Sequence, residues 1–306
     1  MNRIADLSVQ LSGCVSSETI IRRDEPMARH TTLRVGGPAD IYVEPAGEAD
    51  LAAVLRFCSE QRLNWLVIGR GSNLVVRDGG IRGIVVALSS PVFAQITQAG
   101  HCLRAGAGVR LKQLAVEARR WGLSGLEFLA GIPGTVGGAL RMNAGAMGGE
   151  TFRIVVSVRM MTESGEIQEL VPAEMTVTYR NCQTLKSRIA LAAVFQGVPA
   201  ERKAIEAKMK AGSEKRWSSQ PAAPSAGCMF KNPTAIPAGK LIDELGLKGA
   251  SVGGARISLE HGNFLVNDGG ASAKEVLALM ELAQARAKAE RGIELHPEVE
   301  IVGVDG

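Results

Sequence analysis

At 306 residues, 46% of them apolar, the chain is long enough for two or three domains with cores of their own. A net charge of +4 without a long basic block suits an anionic small molecule as well as nucleic acid, and the 4% of aromatic residues is too few for a base-stacking surface. The cysteines (Cys14, Cys58, Cys102, Cys182 and Cys228) are odd in number and form no C-x-x-C pair, which argues against a disulfide framework or a metal site and fits a reducing cytosol. No apolar run reaches the ~18 residues that a membrane span needs.

Residues 1–29 are mixed and carry the charged patch Arg22-Arg23-Asp24-Glu25. Leu11-Ser12-Gly13-Cys14 has the form of a lipoprotein cleavage site, but Asp6, Ser8 and Gln10 interrupt the apolar stretch such a site requires, and it is read as a chance match. Leu33 to Val43 has a strand pattern around Gly36-Gly37-Pro38. Glu48 to Arg62 reads as a helix, with Leu51, Val54, Leu55 and Cys58 on one face. Trp65–Ile68, Leu74–Val76 and Ile84–Leu88 read as strands, and Leu111–Trp121 as a second helix. Ile154–Met161, Ile167–Val171 and Ala190–Phe195 alternate as an antiparallel sheet would.

The character of the chain changes at Gly197-Val198-Pro199, where a domain boundary is expected. Glu201–Arg216 is a strongly charged helix that would open a smaller α/β unit over 199–306. In that unit Ala238–Leu245 is a helix, Arg256–Leu259 and Phe264–Val266 are strands, and Ser272-Ala273-Lys274-Glu275 is a capping box opening a long helix that ends at Gly292. Val299–Val304 is a last strand.

Two glycine-rich stretches carry most of the chemical information. Ala130 to Gly145 reads A-G-I-P-G-T-V-G-G-A-L-R-M-N-A-G, and no charge appears in it before Arg141. Val67 to Asp78 places a Gly-Arg-Gly-Ser-Asn turn between two apolar strands. Glycine lets backbone approach a ligand closely, and clustered main-chain N–H groups cradle anions. Two such loops suggest a large phosphorylated cofactor held on two sides. A hairpin turn by itself would account for the glycines of the first loop, and a tight packing loop for those of the second, but the pairing of two such loops with flanking apolar strands favours the cradle.

Seven segments in order then resemble the UDP-N-acetylenolpyruvoylglucosamine reductase family, over roughly Thr31 to Val302. They are His30 to Asp40, the Gly69–Asn73 loop, Gly125 to Gly149, Tyr179-Arg180, Gly227 to Pro233 (G-C-M-F-K-N-P), His261 to Asn267 and His296 to Val299. The resemblance implies an α+β fold. A two-part FAD-binding domain of the vanillyl-alcohol-oxidase (PCMH) type would span 30–198, dividing near 90–100, and a substrate-binding domain would follow over 199–306. The first glycine loop agrees with this, because it leads into a strand and not into the helix of a dinucleotide βαβ unit.

The resemblance further implies a flavoenzyme of peptidoglycan precursor synthesis. It would use NADPH and non-covalent FAD to reduce UDP-N-acetylglucosamine enolpyruvate to UDP-N-acetylmuramate. It implies a cytoplasmic monomer that binds no nucleic acid, inserts in no membrane and holds no metal. The expected flavin contacts are Gly69, Arg70, Gly71, Ser72, Asn73 and Leu74 on one side, and Gly131, Ile132, Gly134, Thr135, Val136 and Gly137 on the other.

By the same resemblance Arg180 and Glu298 are catalytic, and Tyr179, Arg216, Gln220, Lys231 and Asn232 bind substrate. A guanidinium forks onto a carboxylate, so Arg180 suits charge that builds towards the enolpyruvyl carboxylate. As surface arginine and strand-entry glutamate, Arg180 and Glu298 would mean nothing more. Cys228 departs from the family pattern, which has a proton-donating serine there. A thiol, with a reference pKa of ~8.5, can donate a proton as well, although a small buried packer would also explain a cysteine. Cys182 is a second departure where relatives often carry serine, and both thiols are expected near the active site, with Cys228 open to oxidation by peroxide. The short Arg180–Cys228 spacer lacks the tyrosine-bearing insertion of the longer subgroup. Two other readings share parts of the pattern: a flavin oxidase or dehydrogenase acting on another small substrate, and a non-catalytic binding relative.

Overall fold

The computed structural model describes residues 3–306. They form two compact units, each assembled from separate stretches of chain. The first takes in the described residues up to Arg23, Ile41–Arg70 and Gly83–Arg216; the second is Asp24–Asp40, Gly71–Arg82 and Trp217–Gly306. Among the described residues no helix is long and apolar enough to cross a membrane.

In the first unit, helix Glu48–Gln61 buries Leu51, Val54, Leu55 and Cys58, the stripe expected of its 3.6-residue period. Arg62 ends it in the left-handed conformation, with its N–H on the Cys58 and Ser59 carbonyls. Burial pushes the Cys58 thiol up to about 12. Strand Trp65–Ile68 lies parallel to Ile81–Ala87, with Val67 opposite Val86. A five-stranded antiparallel sheet follows in the order Ile167–Leu170, Val155–Thr162, Arg188–Gln196, Cys102–Gly106, Ile96–Ala99. Helix Leu111–Arg120 buries Leu111, Leu114, Ala115 and Ala118, and one continuous core joins these residues to Leu51, Val86, Leu103, Val158 and Phe195.

The charged helix, observed as Arg202–Trp217, belongs to the first unit through Arg216 and does not open the second. Its anchors explain the difference. Ile205 is fully buried, Glu206 pairs with Arg119, and Lys208 reaches Ser124 Oγ. Charge dominated its sequence pattern, while its allegiance was set by a few contacts with residues more than 80 positions earlier.

The second unit is built on an antiparallel sheet in the order Ser225–Cys228, Phe264–Asn267, Ala255–Ile257, Ser251–Val252. Helix Ala273–Arg291 lays Val276, Leu279, Met280, Ala283 and Ala287 into a core with Phe230, Ile242 and Leu265. The Ser272–Glu275 capping box forms as its spacing requires, and Gly292 closes the helix at φ 64°. Both carboxylate oxygens of Asp78 accept the first N–H groups of that helix, from Ala273 at 2.8 Å and Lys274 at 2.9 Å. Strands Leu74–Val76 and Glu300–Val302 pair in parallel, and Leu33, Val35 and Val75 join the core of this unit.

Candidate active site

The two glycine loops meet within the first unit. A Cβ on Gly69 would lie 2.4 Å from Thr135 Oγ1, so only a bare backbone lets the first loop close onto the second. Gly69 and Arg70 remain exposed there. A hairpin does not explain Gly69 to Asn73, because Trp65–Ile68 pairs with Ile81–Ala87 whereas Leu74–Val76 pairs with Glu300–Val302. On the second loop the N–H groups of Val136 and Gly137 are spent on the Val109 and Ala107 carbonyls, at 2.9 and 2.8 Å. Val136 is fully buried. These two positions therefore anchor the loop and offer no N–H to a ligand, in contrast to what the glycine pattern alone suggests.

Arg216 sits against the same loop. Its Nη1 donates to the Gly131 carbonyl at 2.6 Å, and burial lowers its pKa without discharging a guanidinium. Met147 packs its thioether onto Gly212 and its methyl onto Gly131, so both glycines are sites of close approach. Arg216, which the resemblance names for substrate, thus has one donor committed to holding this loop.

Tyr179 and Arg180 are the two turn residues of a hairpin in which Val177 faces Cys182 and Thr178 faces Asn181. Arg180 takes φ 56°, a conformation that costs a non-glycine residue about 1 kcal/mol or more. Its guanidinium lies 4.9 Å from the Tyr179 ring centroid, and its Nη2 donates to the Gly145 carbonyl at 3.1 Å. Cys182 has no exposure, and burial raises its thiol pKa. It is near Arg180 in the chain, yet it is a core residue and not a thiol of the site.

In the second unit, Gly71 is held at φ 59° where a Cβ would strike the His30 carbonyl oxygen at 2.2 Å. Asn73 donates from its amide to the Glu298 carbonyl at 3.2 Å, and its own carbonyl accepts from Glu300 N–H at 2.9 Å. Glu298 N–H donates in turn to the Met229 carbonyl at 2.7 Å, and Lys231 N–H to the His296 carbonyl at 2.9 Å. The G-C-M-F-K segment is thus flanked by Phe264–Asn267 on one side and by His296–Glu298 on the other. This places half-buried Cys228 one residue from the backbone that carries Glu298. Ser72 is close too, since a Cβ on Gly227 would stand 3.8 Å from its carbonyl oxygen.

Asn232 makes a structural bond: its Oδ1 accepts the Ala238 N–H at 3.0 Å, at the start of the Ala238–Glu244 helix. Lys231 is half-buried, and Gln220 half-exposed, in this unit.

Residues 220–302 match the model of the UDP-N-acetylenolpyruvoylglucosamine reductase C-terminal domain, and residues 39–171 match an FAD binding domain. The chain is 42% identical over 286 residues to the UDP-N-acetylenolpyruvoylglucosamine reductase of Bacillus velezensis, covering 92% of this chain and 94% of that one. It is 41% identical to reductase 2 of Symbiobacterium thermophilum, over 98% of both chains. The crystal structure of the Thermus caldophilus reductase matches with a TM-score of 0.81 and 36% identity, over 93% of this chain and all of that one.

The chain belongs to the UDP-N-acetylenolpyruvoylglucosamine reductase family.

As a member of that reductase family it is an FAD-dependent oxidoreductase, with an α+β fold in which a flavin-binding domain precedes the family's C-terminal domain. The residues that the motifs named fall in both units. Gly69, Arg70, Gly131 to Gly137, Tyr179, Arg180 and Arg216 are in the first; Gly71 to Leu74, Gln220, Cys228, Lys231, Asn232 and Glu298 are in the second. Gly69 and Gly71 are each required by the chain's own packing, on Thr135 in the first unit and on the His30 carbonyl in the second, and an FAD binding domain matches the stretch that holds both loops.

Sequence reasoning missed the roles of three asparagines: Asn143 in the first unit, and Asn263 and Asn267 in the second. Asn263, 2% exposed, accepts the Phe230 N–H at 2.9 Å and donates to the Phe230 carbonyl at 2.7 Å. Asn267 donates to the Leu33 carbonyl and accepts from Gly269 and Ala271. The H-G-N-F-L-V-N segment was legible as a family motif, but a buried asparagine's partners lie too far along the chain to be read from it.

Proposed function

We propose that this chain reduces UDP-N-acetylglucosamine enolpyruvate to UDP-N-acetylmuramate at the expense of NADPH, in peptidoglycan precursor synthesis. The observation that carries the reading is the junction of Cys228 with Glu298. The two lie on neighbouring stretches of backbone joined by the 2.7 Å bond from Glu298 N–H to the Met229 carbonyl, inside a segment that matches the family's C-terminal domain. FAD, bound non-covalently by Gly69 to Leu74 and by the loop from Gly131 to Thr135, supplies the hydride chemistry when present.

The chain's own residues bind, orient and move a proton. Arg180, presented on a strained two-residue turn, takes the enolpyruvyl carboxylate in its guanidinium fork. Negative charge grows towards that carboxylate as the double bond is reduced, so a fixed cation stabilises the transition state more than the ground state. Glu298 supports the same electron-rich intermediate, and Cys228 holds a proton at Sγ for delivery to C2. Tyr179, Arg216, Gln220, Lys231 and Asn232 complete the substrate contacts in this reading, with Arg216 and Asn232 also serving the loop and the helix start already described. The reading keeps the protein a cytoplasmic monomer.

The test is anaerobic. Purified protein is reduced with NADPH, UDP-N-acetylglucosamine enolpyruvate is added, and the flavin absorbance is followed. Rapid reoxidation is expected. Flavin that NADPH reduces and the enolpyruvate leaves reduced would overturn the proposal.

A further inference from the structure

The hairpin bearing Arg180 is too small to hold its own shape. Each of its strands has two residues, and an isolated hairpin of that length has no independent stability. Its turn also carries the cost of a left-handed arginine. Beyond the bonds of Gln183 N–H to the Thr176 carbonyl and of Thr176 N–H to Thr184 Oγ1, each 2.9 Å, it is held by the stretch that follows the second glycine loop. Along Arg141 to Gly145, Arg141 Nη1 donates to the Leu185 carbonyl at 2.8 Å, Asn143 Nδ2 to the Thr178 carbonyl at 3.3 Å, and the Gly145 carbonyl accepts from Arg180 itself at 3.1 Å.

Of the three bonds, the one from Asn143 is the only side-chain bond made directly to the residue that precedes the turn. Asn143 is 5% exposed and takes φ 40°, which asparagine tolerates better than most residues. Its Oδ1 accepts the Phe152 N–H at 3.2 Å, which orients the amide so that Nδ2 faces Thr178. The next residue, Ala144, is pinned by two bonds from Thr151, at 3.0 Å from N–H and 2.7 Å from Oγ1. The support is therefore rigid on the side away from the hairpin.

We propose that Asn143 is a positioning residue for Arg180: its amide fixes the Thr178 carbonyl, and with it the Tyr179-Arg180 turn. The proposal rests on the reading of Arg180 as the carboxylate-binding cation. A guanidinium fork discriminates by geometry, so a looser turn lowers the rate of substrate reduction and leaves the reaction with NADPH alone.

The test is a double-mutant cycle. Asn143→Gly removes the side chain and keeps a residue suited to positive φ. Flavin content and the rate of reduction by NADPH stay at the parent values, while reoxidation by the enolpyruvate slows about tenfold to a hundredfold. In an Arg180→Ala background the same change slows it by no more than about twofold, because its effect runs through Arg180. Hydrogen exchange of the flavin-loaded variant is faster than the parent's at 176–182 and unaltered in helix Leu111–Arg120. If Arg180→Ala itself reoxidises at the parent rate, the reading of Arg180 fails. If Arg180→Ala is slow but Asn143→Gly is not, or costs the same with and without Arg180, the positioning role alone fails. Should Asn143→Gly lose its flavin, Asn143→Asp, which keeps the acceptor for Phe152 and removes the donor to Thr178, decides instead: reoxidation at the parent rate overturns the proposal, and slow reoxidation that Arg180→Ala masks supports it.

Discussion

The side-chain amide of Asn73, the last residue of the first glycine loop, donates to the main-chain carbonyl of Glu298 at 3.2 Å, and the two residues lead into parallel strands in which Leu74 stands opposite Glu300. A loop read as a flavin contact and a glutamate read as catalytic are thereby one piece of structure, although 225 positions separate them. Asn73→Ala deletes the amide and leaves the strand pairing. A hydrogen bond of this kind contributes about 1 kcal/mol, so reoxidation of reduced flavin by the enolpyruvate is expected to slow by about fivefold to tenfold. Stopped-flow absorbance of the two half-reactions checks it; a change confined to the NADPH step would break the link to Glu298.

Replacement of Cys228 separates proton donation from packing. Cys228→Ala is expected to reduce normally with NADPH and to reoxidise about 10²- to 10⁴-fold more slowly, the usual worth of a general acid. Cys228→Ser restores most of the rate, since an alcohol can donate the same proton. Brief hydrogen peroxide treatment inactivates the parent chain more than Cys228→Ser. Equal rates for Cys228→Ala and the parent would assign this cysteine to packing.

Contact between the glycine loops makes a steric prediction. Gly69→Ala drives a methyl group into Thr135 Oγ1, on a buried β-branched side chain that has little room to turn. Purified Gly69→Ala is expected to carry less flavin and to melt lower, by about 1–3 kcal/mol. Gly69→Ala with Thr135→Ala recovers part of both, because the Thr135 Cβ would then be an ordinary 3.6 Å contact. Absence of any recovery would locate the cost elsewhere.

Asn263 and His261 predict a pH dependence of stability. His261 Nδ1 accepts the Asn263 N–H at 3.1 Å, which requires a neutral ring nitrogen, and burial, aided by the Lys248 charge, lowers its pKa below 6.5. A depressed histidine contributes stability that is complete above its unfolded value and is lost as pH falls through the folded one. Urea midpoints are therefore expected to fall as pH drops below about 6.5, more steeply in the parent than in His261→Gln. Asn263→Ala leaves both Phe230 main-chain groups without their partner and is expected to cost about 2–4 kcal/mol at any pH. A pH profile that His261→Gln does not flatten would rule the imidazole out.

Much of the fold was legible because its signals are local. The Glu48–Gln61 stripe, the Ser272–Glu275 capping box, the Gly292 stop and the alternation of Val155–Thr162 each depend on residues within a few positions of one another. Candidate site residues were legible as glycine loops and short motifs for the same reason. That Asn232 holds the first N–H of a helix, and that Cys182 lies in the core, was not legible, because burial and partners are not local properties.

By itself the sequence determined the element types, the two glycine loops and the family, all of which are written in spacing and residue identity. Only the tertiary structure decided which unit claims the charged helix, why Asp24–Asp40 and Gly71–Arg82 fold with the C-terminal stretch, and which asparagines brace Thr178, Phe230 and Glu298. The physical reason is range. Backbone propensity and periodicity act over one or two turns, whereas a buried amide must find a carbonyl wherever the packed chain brings one, between 33 and 225 positions away in these cases.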